Sequence, residues 1–461
     1  MTGGWTSPAA AGDDRVGSAE EVAERVLERV RARSRDAEAE VTVRRGVEAL
    51  TRFARSFIHQ NVAQETNHAS IGVALDGRMA AVSVDGPLDD EALDRVIEAA
   101  LEAARVRPQD PEWPGLAPAA EPPEVDHWDD ATAAASPDDR ARLVADFVTA
   151  AGGLETAGSC ATEAVSIAYA NTSGQRLIGR MTTAALDGIA RSNGSDGSGR
   201  GAARALGVLD GRRIGERAAR KARAATAAGD LEPGRYQVVL EPRCVADVVQ
   251  FLFIYGFNGR AVEEGRSFVR LGEAQFDGAI TLRDDPTDAG TVGVPFDVEG
   301  TPRAAIDVVR DGVTSGVLHT RRTAARAGTT STGHAAEQAQ AWGALPSNPI
   351  LAAGAPSDDE LVGQMERGLL VTDFWYTRIL DPRTQVVTGL TRNGVWLVED
   401  GRIVRPVSDM RFTQSFLDAL APGAVRGVGS DRALIPSAFG GWYLVPSLHL
   451  ASWNFTGGAQ G

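Results

Sequence analysis

Apolar positions recur at helical spacing in AEEVAERVLERVRARS, where Val22, Val26, Leu27 and Val30 fall on one side behind the capping-box pattern SAEE that opens at Ser18. That spacing predicts a surface helix. Beyond it the period drops to two over short spans, in AEVTVRRG, LTRFARSFIHQNV, SIGVALDG and RMAAVSV, which predicts strands with Asp76-Gly77 as a hairpin turn. After Gly86-Pro87 the stretch LDDEALDRVIEAALEAARV is again amphipathic, and Pro108 and Pro111 end it. Residues 18–109 therefore predict an α+β unit made of a helix, an antiparallel sheet and a helix. The Gly, Ala, Ser and Asp of residues 1–17 have no periodicity and predict a disordered lead.

Prolines and acids across residues 110–130, DPEWPGLAPAAEPPEVDHWDD, predict a linker into a middle α/β segment at 131–228. There ARLVADFVTAAGG predicts a helix, and AVSIAYANTSG and RLIGRMTTAALDGIA predict strands joined by a turn at Asn171 to Gly174. RSNGSDGSGRG, from Arg191 to Gly201, is glycine-rich. It lacks the GK[ST] ending of a phosphate loop and predicts a flexible or peptide-contacting loop instead. The basic helix GERAARKARAATAAGD closes the segment, its charges predicting a solvated face. Residues 229–461 then predict a β-rich domain with one inserted helix, including a hairpin at Asp400-Gly401 in NGVWLVEDGRI.

Charge narrows the partners. Sixty-two acidic against 47 basic side chains give a net charge of -15, a field that repels phosphate backbones and anionic lipid, so neither nucleic acid nor membrane is expected. The longest apolar run, VVQFLFIYGF, is well short of the roughly 20 residues a spanning helix needs. MTGGWTSPAAAGDD has neither the basic nor the apolar region of a signal peptide. Two cysteines, Cys160 and Cys244, cannot build a disulfide framework, which fits a reducing, cytoplasmic compartment. The sequons at Asn171, Asn193 and Asn454 are then chance matches.

The one helix placed where chemistry would be expected is CVADVVQFLFIYGFNGRAVEEGRS, directly after the strand YQVVLEP. Metal-dependent peptide hydrolysis needs clustered histidines, with a carboxylate to help activate water. This helix offers only Asp247 and Gln250, one turn apart. The six histidines, His59, His68, His127, His319, His334 and His449, include no pair at i, i+4 or i, i+5. Cys244 lies near the helix start, where the dipole can activate a thiol. Its neighbours are apolar and no histidine stands between His127 and His319, so a buried structural thiol is expected. No G-x-S-x-G elbow is present.

At this point the chain resembles the TldD/PmbA (TldE) family of metallopeptidase-related proteins. LTRFARSFIHQNV, GVALDGRMAAVSVD and AARVRPQDPEWPGLAP carry the resemblance in the first part. ANTSGQRL, EPRCVADVV, GRAVEEGRSF, FDVEGTPR, STGH and NPILAAG extend it from about Ser18 onward. In the TldD-type subunit the corresponding helix carries H-E-x-x-x-H and a C-terminal cysteine completes a zinc site. Here the helix has no histidine and RGVGSDRALIPSAFGGWYLVPSLHLASW has no cysteine, which resembles the TldE (PmbA) type.

The resemblance implies a noncatalytic subunit with no cofactor of its own. Its partner would be a TldD-like subunit bearing zinc, in a cytoplasmic heterodimer that cleaves unfolded or modified peptides. Within VTDFWYTR, an edge strand would put Thr372, Phe374 and Tyr376 on one face as peptide-groove candidates, with Asp373, Trp375 and Thr377 on the other. A core strand or a dimer contact is the alternative for the same residues. Two rival functions stay open at this stage. One is a stand-alone hydrolase using Cys244 or a metal site built from scattered side chains, and the other is a protein-binding modulator of the kind associated with gyrase.

Overall fold

Ser18 caps the first helix in both directions: its side chain accepts the N–H of Glu21, and the Glu21 carboxylate accepts the N–H of Ser18 at 2.7 Å. Helix α1 (Ala19–Arg33) then buries Val22, Val26, Leu27 and Val30, the side its spacing predicted. Residues 18–337, 339–437 and 440–458 are described in the computed structural model, so the predicted disordered lead lies outside the described residues.

Strands β1 (Glu38–Ala54), β2 (Phe57–Leu75), β3 (Arg78–Asp85), β4 (Glu155–Asn171), β5 (Arg176–Ser192) and β6 (Ser195–Ala203) form one antiparallel sheet in the order β3-β2-β1-β4-β5-β6. Strands β1 and β4 pair without a break from Glu40/Asn171 to Phe53/Gly158. The boundary predicted between residues 18–109 and 131–228 therefore does not divide two sheets. One sheet runs through both, long enough to carry two helix pairs. Helices α1 and α2 (Asp90–Val106) cover one end, over Val41, Val43 and Ile71. Beyond the short helix α3 (Asp130–Ala133), α4 (Pro137–Ala150) and α5 (Gly211–Ala224) cover the other end, over Phe53, Cys160 and Leu186. Between the two footprints, Arg44 to Val47 of β1 are only half-buried, and there the apolar alternation lapses.

The glycine-rich RSNGSDGSGRG is not a loop. Arg191 and Ser192 end β5, Asn193 and Gly194 make a tight turn, and the rest is edge strand β6. A Cβ on Gly197 would stand 2.2 Å from Ala222 N, and one on Gly199 would stand 2.1 Å from Ile214 O, so glycine is what lets the α5 backbone lie on the strand. The predicted linker is also fixed in place. Asp110 and Glu112 pair with Arg322 and Arg326, Asn171 Nδ2 donates to Ala117 O at 2.8 Å, and the His127 ring contacts Gly293 O at 2.8 Å.

The β-rich domain begins with β7 (Gly234–Leu240) and α6 (Pro242–Tyr255). One sheet takes β8 (Leu282–Asp284), β9 (Ile306–Arg310), β10 (Val313–Thr314) and β11 (Pro349–Leu351) with β17 (Ala433–Pro436) and β18 (Trp442–Val445). The other takes β12 (Arg367–Asp381), β13 (Val386–Glu399), β14 (Arg402–Val407), β15 (Met410–Ser415) and β19 (Leu448–Gly458), with β16 (Val425–Val428) on β19. In this second sheet β12 pairs with β7 and β13, β7 with β19, β19 with β15, and β15 with β13, closing a ring. Phe374, Phe412 and Trp453 fill it with ring centroids 4.5–5.3 Å apart, and α6 joins the same core. The architecture is α+β, with the inserted helix standing where the sequence predicted it.

Candidate functional site

Helix α6 starts at Pro242, whose fixed φ suits a first helical position, and Cys244, Val245, Val248, Leu252 and Phe253 are buried. Asp247 and Gln250 are also buried, each 8% exposed. The Gln250 side-chain oxygen accepts from the Ser437 hydroxyl at 2.5 Å. Asp247 lies 3.6 Å from Arg243, one turn earlier. Burial lifts its pKa to about 6, with Arg243 pulling it down and Asp373 pushing it up. A carboxyl so poised could exchange a proton near neutral pH, but no histidine shares its helix.

The other groups are committed elsewhere. The Cys244 thiol donates to Val371 O at 3.7 Å, and burial raises its pKa well above the ordinary value, so it is a structural thiol. His334 pairs with Asp284 at 3.1 Å, both fully buried, while Asp284 also accepts the N–H groups of Ser347 and Asn348. His449 stands beside Gln237 and His319 beside Thr323. Among the described residues, no group of three or more His, Cys, Asp or Glu could hold a metal ion. Asp247, Gln250 and Cys244 do not fit zinc, because the thiol faces a backbone carbonyl and the amide is held by a hydroxyl.

Two ion pairs attach the N-terminal half to the β-rich domain near α6. Lys221 of α5 reaches Glu241, the residue capping α6, at 2.6 Å. Arg200 of β6 reaches Asp373 of β12 at 2.6 and 2.7 Å, and Asn393 donates to the same carboxylate at 2.7 Å. Lys221 is 7% exposed, so the charge run predicted to be a solvated face has one member turned into the junction.

The peptide-groove candidates are not brought together. β12 pairs with β7 only from Gly368 to Val371 and with β13 along its length, and its register with β13 shifts between Val371 and Asp373 and again between Trp375 and Arg378. These bulges break the alternation. Thr372 and Phe374 are buried, with Phe374 stacked 5.3 Å from Trp453. Tyr376 is 63% exposed at φ +54 with the Arg378 guanidinium over its ring, and Trp375, expected on the opposite face, is exposed under Arg392. Thr372, Phe374 and Tyr376 therefore share no face.

The motifs FDVEGTPR and STGH build a buried polar network that the sequence reading did not assign. Asp297 accepts the N–H groups of Glu299, Thr301 and Ala335, and Arg303 donates to the carbonyls of Val294, Phe296 and Gly333. Glu40 of β1 faces the same region and accepts the Tyr169 hydroxyl at 2.8 Å. Burial lifts Glu40 to about 7 despite that bond, with Glu299 adding to the rise, and burial lifts Asp297 to about 7 as well. Carboxyls raised in the folded state favour folding while protonated. Their contribution is complete below the unfolded pKa near 4 and is lost as pH rises through about 7. Urea unfolding from pH 5 to pH 8 is expected to show stability falling across this window, and Glu40→Gln is expected to flatten the fall. An unchanged slope in that variant would remove Glu40 from the account.

With this geometry in place, the family relation can be read from known proteins. Residues 233–457 match the PmbA/TldA metallopeptidase C-terminal domain, a span that holds α6 and the closed ring. Residues 233–457 thus form a PmbA/TldD-family domain. A metalloprotease of Methanothermobacter thermautotrophicus is 30% identical over 240 residues, covering 49% of this chain and 48% of that protein. The metalloprotease PmbA of Escherichia coli O157:H7 is 27% identical over 184 residues, covering 39% of this chain and 38% of PmbA. The chain spans about half or less of these curated relatives. TldE from Thermococcus kodakarensis superimposes with a TM-score of 0.83 at 19% identity, over 95% of this chain and 100% of TldE. A Thermotoga maritima protein put forward as a modulator of a DNA gyrase superimposes with a TM-score of 0.82 at 21% identity, over 94% of this chain and all of its own. At these identities the structural likenesses fix the fold of the chain and nothing finer.

Proposed function

We propose that this chain is the noncatalytic, TldE-like subunit of a heterodimeric zinc metallopeptidase that cleaves unfolded or modified peptides in the cytoplasm, with the zinc on a TldD-like partner. The observation that carries this reading is α6. It keeps the strand-then-helix placement and the apolar packing of a peptidase helix, yet presents Asp247 and Gln250 where paired histidines would be needed. The fully buried Cys244 weighs against a stand-alone thiol hydrolase. The net charge of -15 weighs against direct contact with DNA in a gyrase-modulating role. Among the described residues no helix is long and apolar enough to cross a membrane.

The purified chain is expected to retain well under one zinc per molecule after dialysis and to leave an unfolded peptide intact. Co-expression with a similar-length chain carrying H-E-x-x-x-H is expected to give a complex on size exclusion that cleaves the peptide and stops when a chelator is added. Cleavage by this chain alone, indifferent to both partner and chelator, would overturn the reading.

A further inference from the structure

Helices cover one face of the N-terminal sheet. Val41, Val43 and Phe53 of β1 point into that side, so Glu48, Leu50 and Arg52 point to the other. On this second face the β-rich domain packs at one end, where Gly179 of β5 lies against Val294 and Phe296. Away from that footprint the face forms a groove of about 520 Å³, with Trp442 of β18 lining it from the β-rich domain.

The strand register lays three rows across the floor of this groove. The middle row is apolar, with Val62 opposite Leu50, Leu50 opposite Ala161, and Ala161 opposite Ala185. To one side of it Glu48 stands opposite Glu163, and to the other Arg52 stands opposite Gln60. Glu163 is taken by Arg44. Glu48 and Arg52 are exposed, and among the described residues neither has a hydrogen bond or an ion pair. Four residues of strand set their Cα atoms about 13 Å apart, too far for the two to neutralise each other. The groove thus offers a free carboxylate, an apolar middle and a free guanidinium in that order.

A short peptide with free ends carries the complementary order of groups: an ammonium, a chain of side chains and a carboxylate. An extended chain advances about 3.3–3.6 Å per residue, so three or four residues span the distance and a single amino acid does not. Nucleic acid and anionic lipid present one sign of charge only and would meet Glu48 unfavourably.

We propose that this groove binds short peptides by both ends, with the N-terminal ammonium on Glu48, the C-terminal carboxylate on Arg52, and the side chains between them over Leu50 and against Trp442. The inference rests on the reading of this chain as part of a peptide-cleaving assembly only in taking peptides as what the chain meets. It is tested without zinc or partner, so a failed titration leaves the cleavage assay to stand or fall by itself.

The test is isothermal titration of the full chain with the tetrapeptide Ala-Leu-Leu-Ala. Acetylating its N-terminus or amidating its C-terminus is expected to weaken binding about tenfold each, the scale of one hydrogen-bonded charge. Glu48→Gln is expected to lose the discrimination against the acetylated peptide and keep that against the amidated one, and Arg52→Gln the reverse. Both side chains are exposed, so the circular dichroism spectrum is expected to stay unchanged in each variant. The dipeptide Leu-Leu, too short to reach both charges, is expected to bind no tighter than a blocked tetrapeptide. No binding at millimolar peptide would overturn the proposal. So would equal affinity for free and blocked peptides, or discrimination unchanged in the two variants. Loss of the co-expressed complex in Glu48→Gln with peptide binding intact would assign the groove to the protein partner and overturn it as well.

Discussion

Leu252→Asp is expected to leave no cooperatively folded chain. Leu252 is fully buried in α6, inside the largest apolar cluster of the β-rich domain, which also takes Cys244, Val248 and Phe251. Truncating such a leucine alone costs about 2–5 kcal/mol. The carboxylate adds the penalty of an unpaired buried charge, against a total stability on the order of 5–15 kcal/mol. Leu252→Met keeps the volume and is expected to cost under about 1.5 kcal/mol. Asp247→Asn, on the same helix, is expected to leave melting within a few degrees, since it removes a carboxylate that burial already disfavours. Thermal scans by circular dichroism compare the three. A cooperative transition near the wild-type temperature in Leu252→Asp would mean that α6 is not part of the core.

Asp373→Ala is the second large expected effect. Its side chain is 4% exposed, holds Arg200 across the junction of the N-terminal sheet and the β-rich domain, and also accepts from Asn393 of the neighbouring β13. Removing one member of a buried ion pair costs about 3–5 kcal/mol, mostly through the charge left behind. The lower end is expected here, because Arg200 keeps 30% side-chain exposure and a second carboxylate, Asp187, at 2.9 Å. Denaturant unfolding gives the loss, and limited proteolysis should show cleavage between the two units. The paired change Arg200→Met with Asp373→Leu is expected to recover most of it, since apolar replacements of buried ion pairs are often neutral. A loss under about 0.5 kcal/mol in Asp373→Ala would class the contact with ordinary surface pairs.

These two residues also mark what the chain discloses by itself. Leu252 lies in an apolar helix that its own neighbours announce, and the turns at Asp76-Gly77, Asn171 to Gly174 and Asp400-Gly401 are written in adjacent residues. Asp373 depends on Arg200, which is remote in sequence, and on two bulges that no local pattern signals. The same limit misled the reading of VTDFWYTR, where regular alternation was assumed across a register shift. In RSNGSDGSGRG the glycines were a packing signal for α5 lying on β6, and composition alone made them look like a loop. The unity of the first sheet was hidden because Arg44 to Val47 lie between two helix footprints, so the pattern breaks inside a strand that does not. Asp247 and Gln250 could be placed on one helix without any long-range contact, because the apolar residues around them announce that helix.

The closed ring of strands has a consequence for synthesis. β7 comes first among its members, and β19 follows every other strand of the ring, yet the two are hydrogen-bonded neighbours. The ribosome therefore releases β7, α6 and β12 with their apolar faces uncovered, and the ring cannot shut until Trp453 and Phe455 of β19 have emerged. The N-terminal sheet and its helices are complete in sequence by α5 and can assemble well before that. Each chain thus passes through an interval with a finished first half and an open, adhesive second half. That interval is when it depends most on chaperones, and any message truncated before β19 yields a product that cannot leave it.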